Sequence, residues 1–155
     1  MAVELRPMRD DEFDDWYPGM RDSYAEDMVR DAGLDPERAA AKAADDMEQL
    51  FPGRRPSAQQ LVFVLEADGK PVGNLWLCDR PDGFQPGMFI YFVQVDERYR
   101  GRGYGKQAML LAEVEARARG CARISLNVFG GNTVARGLYS SLGYEENAVA
   151  MSKRL

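Results

Sequence analysis

The sequence has no histidine among its 155 residues. Histidine is the side chain that most often serves as a general base near neutral pH, and it is the commonest metal ligand. Its absence excludes Ser-His-Asp and Cys-His catalysis, HExxH zinc sites and C2H2 zinc fingers. Any chemistry that this chain performs must therefore work without imidazole, and we expect the chain to hold no metal ion.

Cysteines and long apolar runs are scarce as well. The two cysteines, Cys78 and Cys121, form no CxxC pair, so the sequence indicates neither a zinc ribbon nor a disulfide framework. Isolated thiols of this kind are typical of a reduced, cytosolic protein. The residues after Met1 contain no signal-peptide core, and no run of ~18 apolar residues occurs that could cross a membrane. We therefore expect a cytoplasmic protein without a membrane partner.

Apolar residues make up 45% of the chain, which at this length is enough to close one hydrophobic core. The net charge is −5, and it is unevenly distributed. Residues 1–60 hold 15 acidic and 8 basic side chains, whereas residues 61–155 hold 10 acidic and 12 basic ones. An acidic half is thus joined to a mildly basic half, and the acidic total argues against a nucleic-acid partner.

The hydrophobic periodicity predicts one mixed α/β domain with the element order β-α-α-β-β-β-α-β-α-β. Pro18 and Gly19 are expected to divide the first helical region into two pieces, and Asp35 before Pro36 indicates where the next helix begins. A strand is predicted near 2–8, followed by helices over 10–33 and 36–50. Strands are then predicted over 61–66, 72–77 and 88–95, with a turn at 81–83 before the last of them. The remaining elements are a helix over 107–119, with Leu110, Val114 and Ala118 on one apolar face, a strand over 124–128, a helix over 132–142 and a final strand over 149–151.

The most informative stretch is a glycine-rich loop that joins a strand to a helix within residues 93–106. Its alternating glycines, Gly101, Gly103 and Gly105, let backbone N–H groups turn toward one point. The start of the following helix adds unpaired N–H groups and partial positive charge. The loop therefore suits a pyrophosphate, beside which lie the positive charges of Arg98, Arg100, Arg102 and Lys106.

Two common nucleotide-binding motifs do not fit this loop. A P-loop requires GxxxxGK[ST], but Arg100 stands five residues before Gly105, and Gln107 follows Lys106. A Rossmann fingerprint requires GxGxxG, whereas the spacing here is GxGxG. A segment of RG-rich nucleic-acid-binding type is disfavoured because the loop lies within a periodic pattern. A turn that serves only as a connector stays open as the plainer alternative.

Two blocks of the sequence carry a resemblance: Arg100-x-x-Gly103-x-Gly105 in the loop, and residues 126–144. The first matches the Q/R-x-x-G-x-G/A acyl-CoA pyrophosphate motif of the GNAT acetyltransferase superfamily, and the second resembles that family's strand, helix and Gly-aromatic ending. The resemblance covers residues 60–155 in sequence and the helical region before them by topology. It implies a single α/β domain over 1–155, with a central mixed sheet of six or seven strands and about four helices. Residues 1–60 would form the acceptor side, and 61–155 the acetyl-CoA-binding core.

The resemblance also implies an activity, which is direct transfer of an acetyl group from acetyl-CoA to an amine on a small molecule or a protein. The backbone of Val93 and Val95 would pair with the pantetheine arm, and an N–H near Val95 would stabilise an oxyanion. Tyr139 would protonate the leaving thiolate, its alternative being a packed aromatic, and Asn132 would cap its helix, contact the pantetheine, or both. The remaining residues expected to bind the cosubstrate are Gln94, Arg100, Gly101, Arg102, Gly103, Tyr104, Gly105 and Lys106.

No general base is assigned by the sequence. Many relatives carry a carboxylate on the central strand, where this chain has Phe92 and Gln94. Several alternatives for removing the proton of the amine remain open: Glu66, Asp79, an acid of the N-terminal helices, a water chain, or an amine that arrives neutral and needs no base. Each of these acids could equally be an ordinary surface group.

The sequence also leaves alternatives open for the acceptor site and for the class of function. An acidic region bearing Trp16, Tyr17, Tyr24 and Phe51 favours a cationic amine, although such aromatics are usually core residues. Tyr91 lines the acceptor pocket or belongs to the core. A non-catalytic acyl-CoA-binding sensor is the alternative function, and a homodimer is left open.

Overall fold

The computed structural model describes residues 2–82 and 86–155, so Gly83 of the predicted turn lies outside them. The chain forms one mixed α/β domain in which helices cover both faces of a five-stranded sheet ordered β1-β2-β3-β4-β5. The elements are β1 Val3–Pro7, α1 Asp10–Ala32, α2 Pro36–Leu50, β2 Gln60–Ala67, β3 Lys70–Arg80, β4 Gly87–Val95, α3 Tyr104–Ala118, β5 Ile124–Leu126 and α4 Thr133–Ser141.

The sheet is mixed because only its last pairing is parallel. Strands β1 to β4 pair antiparallel in chain order, whereas β4 pairs with β5 parallel. The β2–β3 hairpin closes at Asp68 and Gly69, both with positive φ (52° and 72°), as a tight two-residue turn requires. The sequence predicts this hairpin, with strands over 61–66 and 72–77 and a turn at Asp68 and Gly69, and the pairing of β2 with β3 confirms it.

Two cores lie on the two faces of the sheet. One is formed by α3 against side chains such as Leu65, Leu75 and Ile90. The other is formed by α1 and α2, where Phe13 of α1 and Phe51, the residue after α2, pack in one cluster with Trp76. The first face supports the glycine loop, and the second closes the acidic side of the molecule.

Helix α1 differs from the sequence prediction, because it runs unbroken through Pro18. A proline inside a helix costs ~3 kcal/mol or more. Here Phe13, Tyr17 and Met20 on either side of it are buried against the sheet and α2. This packing holds the helix together across the proline. The predicted start of α2 is confirmed, since the Asp35 carboxylate accepts the N–H groups of Glu37 and Arg38 at 3.0 and 3.3 Å.

The buried face of α3 also differs from the prediction. The sequence places Leu110, Val114 and Ala118 on one apolar face, but Leu110 and Val114 are exposed. The helix instead buries a stripe of mostly small side chains: Tyr104, Ala108, Met109, Ala112 and Ala116. Alanine side chains are small and let the helix lie close to the sheet. The prediction was wrong because it took the larger apolar side chains to mark the buried face.

The sheet has five strands in the part of the chain that the structure describes, and the expectation of six or seven is wrong. The segment over 149–151, predicted as a final strand, lies outside the sheet, and residues 145–155 have neither helix nor strand. A strand exists only where an edge supplies hydrogen-bond partners. The local pattern that predicted this strand carries no information about such an edge.

Candidate active site

A slot opens between β4 and β5. The two strands pair only where Met88, Phe89 and Ile90 face residues 124–126. Beyond Ile90, β4 continues to Val95 with no strand on that side in the described residues. The separation coincides with a bulge, because Trp76 faces Phe92 while its neighbour Leu77 faces Ile90, which leaves Tyr91 as an extra residue. A bulge bends and twists its strand, so it directs β4 away from β5.

The backbone of Val93 and Val95 faces this open edge. The N–H of Asp96 donates to the carbonyl of Val72 on β3 at 2.8 Å. Because alternate residues of a strand point their polar groups to opposite sides, those of Val95 and Val93 point into the slot. Gln94 directs its backbone to β3, where it faces Asn74. Of the three predicted β4 residues, Val93 and Val95 thus turn their backbone groups toward the slot, and Gln94 turns its own toward β3.

Arg100 closes the end of the slot. Its Nε donates to the Val95 carbonyl at 2.9 Å, and this carbonyl is one of the groups that face the open edge. The guanidinium therefore lies where β4 meets the glycine loop. Arg98 and Arg102 lie over the ring of Tyr99, 4.9 and 5.5 Å from its centroid. Three cations are thus gathered beside the loop.

The glycine loop has the conformation that its residues predict. Gly101 and Gly103 have φ of +77° and +80°, and a Cβ on either would meet no atom within 4 Å. The need for glycine there is conformational rather than steric. Gly103 is the N-cap of α3, without a side-chain cap, and the helical bonds begin with Gln107 N–H to the Gly103 carbonyl at 3.1 Å. The N–H groups of 104–106 precede that bond, so the helix ladder leaves them available to an anion.

If the loop holds CoA, the ligand that the sequence resemblance implies, replacing Gly103 by alanine is expected to weaken that binding about tenfold. A non-glycine residue in the left-handed region costs roughly 1–2 kcal/mol, and relaxing that strain would rotate the loop N–H groups. Gly105→Ala is the matched control, since a Cβ there lies 4.0 Å from Leu138 and Val95 and fits. Titration calorimetry with CoA measures both variants. Equal affinity of Gly103→Ala and Gly105→Ala would contradict this account.

Helix α4 lies beside the loop. The Leu138 side chain and Val95 are equally close to the space next to Gly105, which brings together α4, the start of α3 and the end of β4. Asn132 caps α4 by accepting the Ala135 N–H at 3.2 Å. Tyr139 packs partly buried against the core, its ring centroid 6.0 Å from that of Tyr144. Burial raises the pKa of Tyr139, so its hydroxyl holds its proton at neutral pH.

The pKa of Tyr144 is raised more strongly than that of Tyr139. Burial, assisted by the Glu113 carboxylate, raises the pKa of Tyr144 to about 12. Its hydroxyl is buried without a hydrogen-bond partner in the described structure. In the unfolded chain the same phenol ionises near pH 10. The folded state therefore resists an ionisation that the unfolded state accepts, and stability that is present below about pH 10 is lost as the pH rises toward 12.

Tyr144→Phe is expected to flatten that loss of stability between about pH 10 and 12. Near pH 8 it should change the free energy of unfolding by no more than ~1 kcal/mol, because the hydroxyl that it removes makes no hydrogen bond. Urea titrations at pH 8 to 11.5 measure the effect. A decline as steep as that of the unmodified protein would show that other groups cause it.

Ion pairs neutralise many acids of the N-terminal helices. Glu12 pairs with Arg6 at 2.8 Å, which lowers its pKa to about 2. Asp14 pairs with Arg55 at 2.6 Å. Asp46 pairs with Lys42 at 2.8 Å and accepts a hydrogen bond from the Tyr24 hydroxyl at 3.0 Å. These carboxylates are therefore engaged with basic side chains of the same half, so its net charge does not by itself show which acids could meet a cationic ligand.

A cavity of about 310 Å³ lies between the start of α1 and the sheet. Its lining combines carboxylates, an aromatic ring and the strand junction: Met8, Glu12, Asp15, Trp16, Val64, Pro71, Gly73, Asn74 and Asp96. Unlike Glu12, neither Asp15 nor Asp96 makes a recorded ion pair within residues 2–82 and 86–155. The sequence analysis includes Asp15 only within the acidic helices as a group, and it does not single out Asn74 or Asp96. Of these, Asp96 stands at a conspicuous position, between the strand and the glycine loop.

The other sequence candidates are engaged elsewhere. Glu66 pairs with Arg6 at 3.1 Å, and Asp79 lies 3.8 Å from the Cys121 thiol, which donates to it. Tyr91 stacks on Trp76 with 4.5 Å between ring centroids and accepts a hydrogen bond from Arg80. Tyr17 and Phe51 are core residues, whereas Trp16 reaches the cavity.

Two features are absent from the described residues. No group of three or more cysteine, aspartate or glutamate side chains there is arranged to hold a metal ion. No helix in the same part of the chain has the length and apolar character needed to cross a membrane.

Comparison with known proteins identifies relatives of this chain. The sequence model of the acetyltransferase (GNAT) family matches residues 9–144. Two Bacillus subtilis (strain 168) proteins named as uncharacterized N-acetyltransferases, YycN and YdgE, are 35% and 29% identical to this chain over 156 aligned residues. Each alignment covers 100% of this chain, and 100% of YycN and 99% of YdgE.

Solved structures agree with these sequence matches. The crystal structure of YycN has a TM-score of 0.91 at 34% identity, with 99% of both chains covered. AAC(6')-Iy, solved with the bisubstrate analog CoA-S-monomethyl-acetylneamine, has a TM-score of 0.64 at 19% identity, with 100% of this chain and 99% of that chain covered. The second likeness concerns the fold alone.

Proposed function

This chain belongs to the GNAT family of acetyltransferases, and from that premise we propose that it transfers the acetyl group of acetyl-CoA directly to an amine. The open edge of β4, which ends at a left-handed glycine loop, is the observation that carries the proposal. An extended chain of alternating amide groups can pair with such an edge. The pantetheine arm is of this kind, and the N-terminus of α3 suits its pyrophosphate.

The residues that would hold acetyl-CoA lie in sequence along the slot. Val93 and Val95 offer backbone groups, Arg100 fixes the end of β4, and 101–106 supply N–H groups and positive charge. Acetyl-CoA brings a thioester whose acetyl group an amine can attack. The Val95 N–H, which faces the slot, would stabilise negative charge on the carbonyl oxygen. Much of the rate acceleration would come from positioning two substrates, which needs no histidine.

Tyr139 would act as the general acid. Its hydroxyl is protonated at neutral pH because burial raises its pKa. It lies on α4, seven residues after Asn132, and α4 packs beside the loop that would hold the pyrophosphate. A proton passed from this hydroxyl to the departing thiolate would make the thiol a better leaving group.

The acceptor amine would enter the cavity beneath α1. Trp16 offers an aromatic face for a cation, and Asp15 and Asp96 offer carboxylates without a recorded ion pair. Both carboxylates line the cavity together with Asn74 of β3. This lining supports an acceptor with positive charge, whose preference would then reside in the cavity rather than in the net charge of the helices.

Neutralising the cavity carboxylates is expected to raise the KM of a cationic amine about tenfold. The loss of one charge pair near the surface is worth roughly 1 kcal/mol, so the double variant Asp15→Asn/Asp96→Asn should show a clear effect that weakens with added salt. Steady-state kinetics with a diamine measures it. Glu26→Gln, on α1 outside the cavity, is the control, and an unchanged KM with unchanged salt dependence would remove the cavity from the acceptor site.

Release of free thiol from acetyl-CoA across a panel of amines tests the activity itself. The proposal expects release above background with at least one cationic amine. The competing function, an acyl-CoA-binding sensor, is favoured by Phe92 and Gln94 where many relatives carry a carboxylate. A sensor would bind CoA in calorimetry and release no thiol with any amine.

A further inference from the structure

Arg80, the last residue of β3, is a half-buried cation without a carboxylate partner among residues 2–82 and 86–155. Its neighbour Asp79 points to the opposite face of the sheet, because side chains alternate along a strand, and there it accepts from the Cys121 thiol. A charge that is partly removed from water costs free energy unless an opposite charge accompanies it. Arg80 is therefore available to an anion that comes from outside the chain.

Two aromatic rings hold the guanidinium of Arg80 in place. It lies 3.8 Å from the centroid of the Phe89 ring and 4.8 Å from that of Tyr91. Tyr91 is itself fixed, because it stacks on Trp76 and meets the Phe89 ring edge-on at 4.8 Å. A guanidinium that stacks on a ring does so with its flat face, whereas its N–H donors lie along its edge. The rings therefore orient Arg80 and leave its edge for hydrogen bonds.

The chain itself takes up only part of this edge. Arginine has five N–H donors, and among the described residues those of Arg80 meet the hydroxyl oxygen of Tyr91 and the sulfur of Cys78, a weak acceptor. Because the Tyr91 oxygen accepts from Arg80, the proton of that hydroxyl is left to be donated. The residue that faces Arg80 on β4 is Gly87, which has no side chain. A guanidinium fork and a hydroxyl donor thus lie side by side, next to a position of the sheet without a side chain.

We propose that Arg80 and Tyr91 bind the carboxylate of a small organic acid. A carboxylate is planar and accepts two parallel N–H bonds from a guanidinium, and the Tyr91 hydroxyl supplies a third donor. One cation balances the single charge of a carboxylate, whereas a phosphate group carries nearly two. Tyr91 is the extra residue of the bulge at which β4 leaves β5, so the acid would lie against the strand that forms the slot. The site shares no residue with the glycine loop or the cavity beneath α1, and it does not depend on the proposed activity.

Nuclear magnetic resonance of the 15N-labelled protein, without CoA, tests the site. Sodium propionate replaces sodium chloride at constant ionic strength, and the signals of the Arg80 guanidinium and the Trp76 indole are followed. We expect saturable shifts with a Kd of about 1–10 mM, since one cation and one hydroxyl hold the ligand. Inorganic phosphate, titrated in the same way, is expected to bind more weakly than propionate. Shifts that do not saturate, or tighter binding of phosphate than of propionate, would overturn the proposal.

Single substitutions assign the binding to these two side chains. Arg80→Met keeps an apolar stem against the rings and removes the charge, and we expect the Kd for propionate to rise at least tenfold. Arg80→Lys keeps the charge without the planar fork, and Tyr91→Phe keeps the ring on Trp76 without the hydroxyl; each should raise the Kd at least threefold. Arg38→Met, at an exposed position of α2, is the matched control and should leave it unchanged. Circular dichroism verifies the fold of each variant, and if Arg80→Met does not fold, the other two decide. An unchanged Kd in the folded Arg80 variants would show that propionate binds elsewhere, and the proposal would be wrong.

Discussion

Tyr139→Phe is expected to lower kcat by about 100-fold or more while the affinity for acetyl-CoA changes by less than about threefold. A positioned general acid contributes ~10²–10⁴ in rate, and phenylalanine keeps the ring while removing the proton donor. The ring packs beside the core and faces that of Tyr144 at 6.0 Å, so the substitution preserves the packing of α4. The loss should therefore fall on the chemical step.

Tyr144→Phe is the matched control for this experiment. It removes a hydroxyl from the neighbouring ring, which is also buried with a raised pKa, but it does not touch the proposed acid. Stopped-flow and steady-state assays with a saturating amine give kcat, and calorimetry gives the affinity for CoA. A parallel loss of affinity and kcat in Tyr139→Phe would assign that residue a packing role, and equal kcat for the two variants would remove it from the chemistry.

Gly73→Ala is expected to destabilise the protein by about 3 kcal/mol or more. A Cβ on Gly73 would lie 2.1 Å from the Gln94 carbonyl oxygen and 3.0 Å from the Cα of Val95. Both obstacles are backbone atoms, so the clash is relieved only if β3 and β4 move apart. Overpacking a well-formed interior costs ~1–3 kcal/mol and occasionally more, and here the strands that must separate also form the wall of the slot.

The same substitution should weaken CoA binding, because it displaces the backbone of Val93 and Val95. Gly19→Ala is the control, since its Cβ meets nothing within 4 Å. In the interior of α1 this change should raise stability by up to ~1 kcal/mol. Urea unfolding measures both variants. A loss of less than 1 kcal/mol for Gly73→Ala would show that β3 and β4 do not approach as closely as described.

Local patterns predicted the elements that depend on local interactions. The cap at Asp35 and the Asp-Gly turn of the β2–β3 hairpin follow from side-chain chemistry within a few residues. The unbroken passage of α1 through Pro18 does not, because the packing that offsets the proline comes from residues distant in sequence, such as Phe51 and Trp76. The buried face of α3 was predicted wrongly because it also depends on distant residues: the helix lies close to the sheet, and small alanines fit there better than larger apolar residues.

The sequence by itself determined the glycine loop, its positive charges and the family to which the chain belongs, because these reside in contiguous residues whose spacing is fixed by the chain. Only the tertiary structure decided where β4 separates from β5, which acidic side chains make no ion pair, and that residues 145–155 lie outside the sheet. Each of these depends on which backbone edges and which opposite charges meet, and such meetings are set by the packing of segments far apart in the chain.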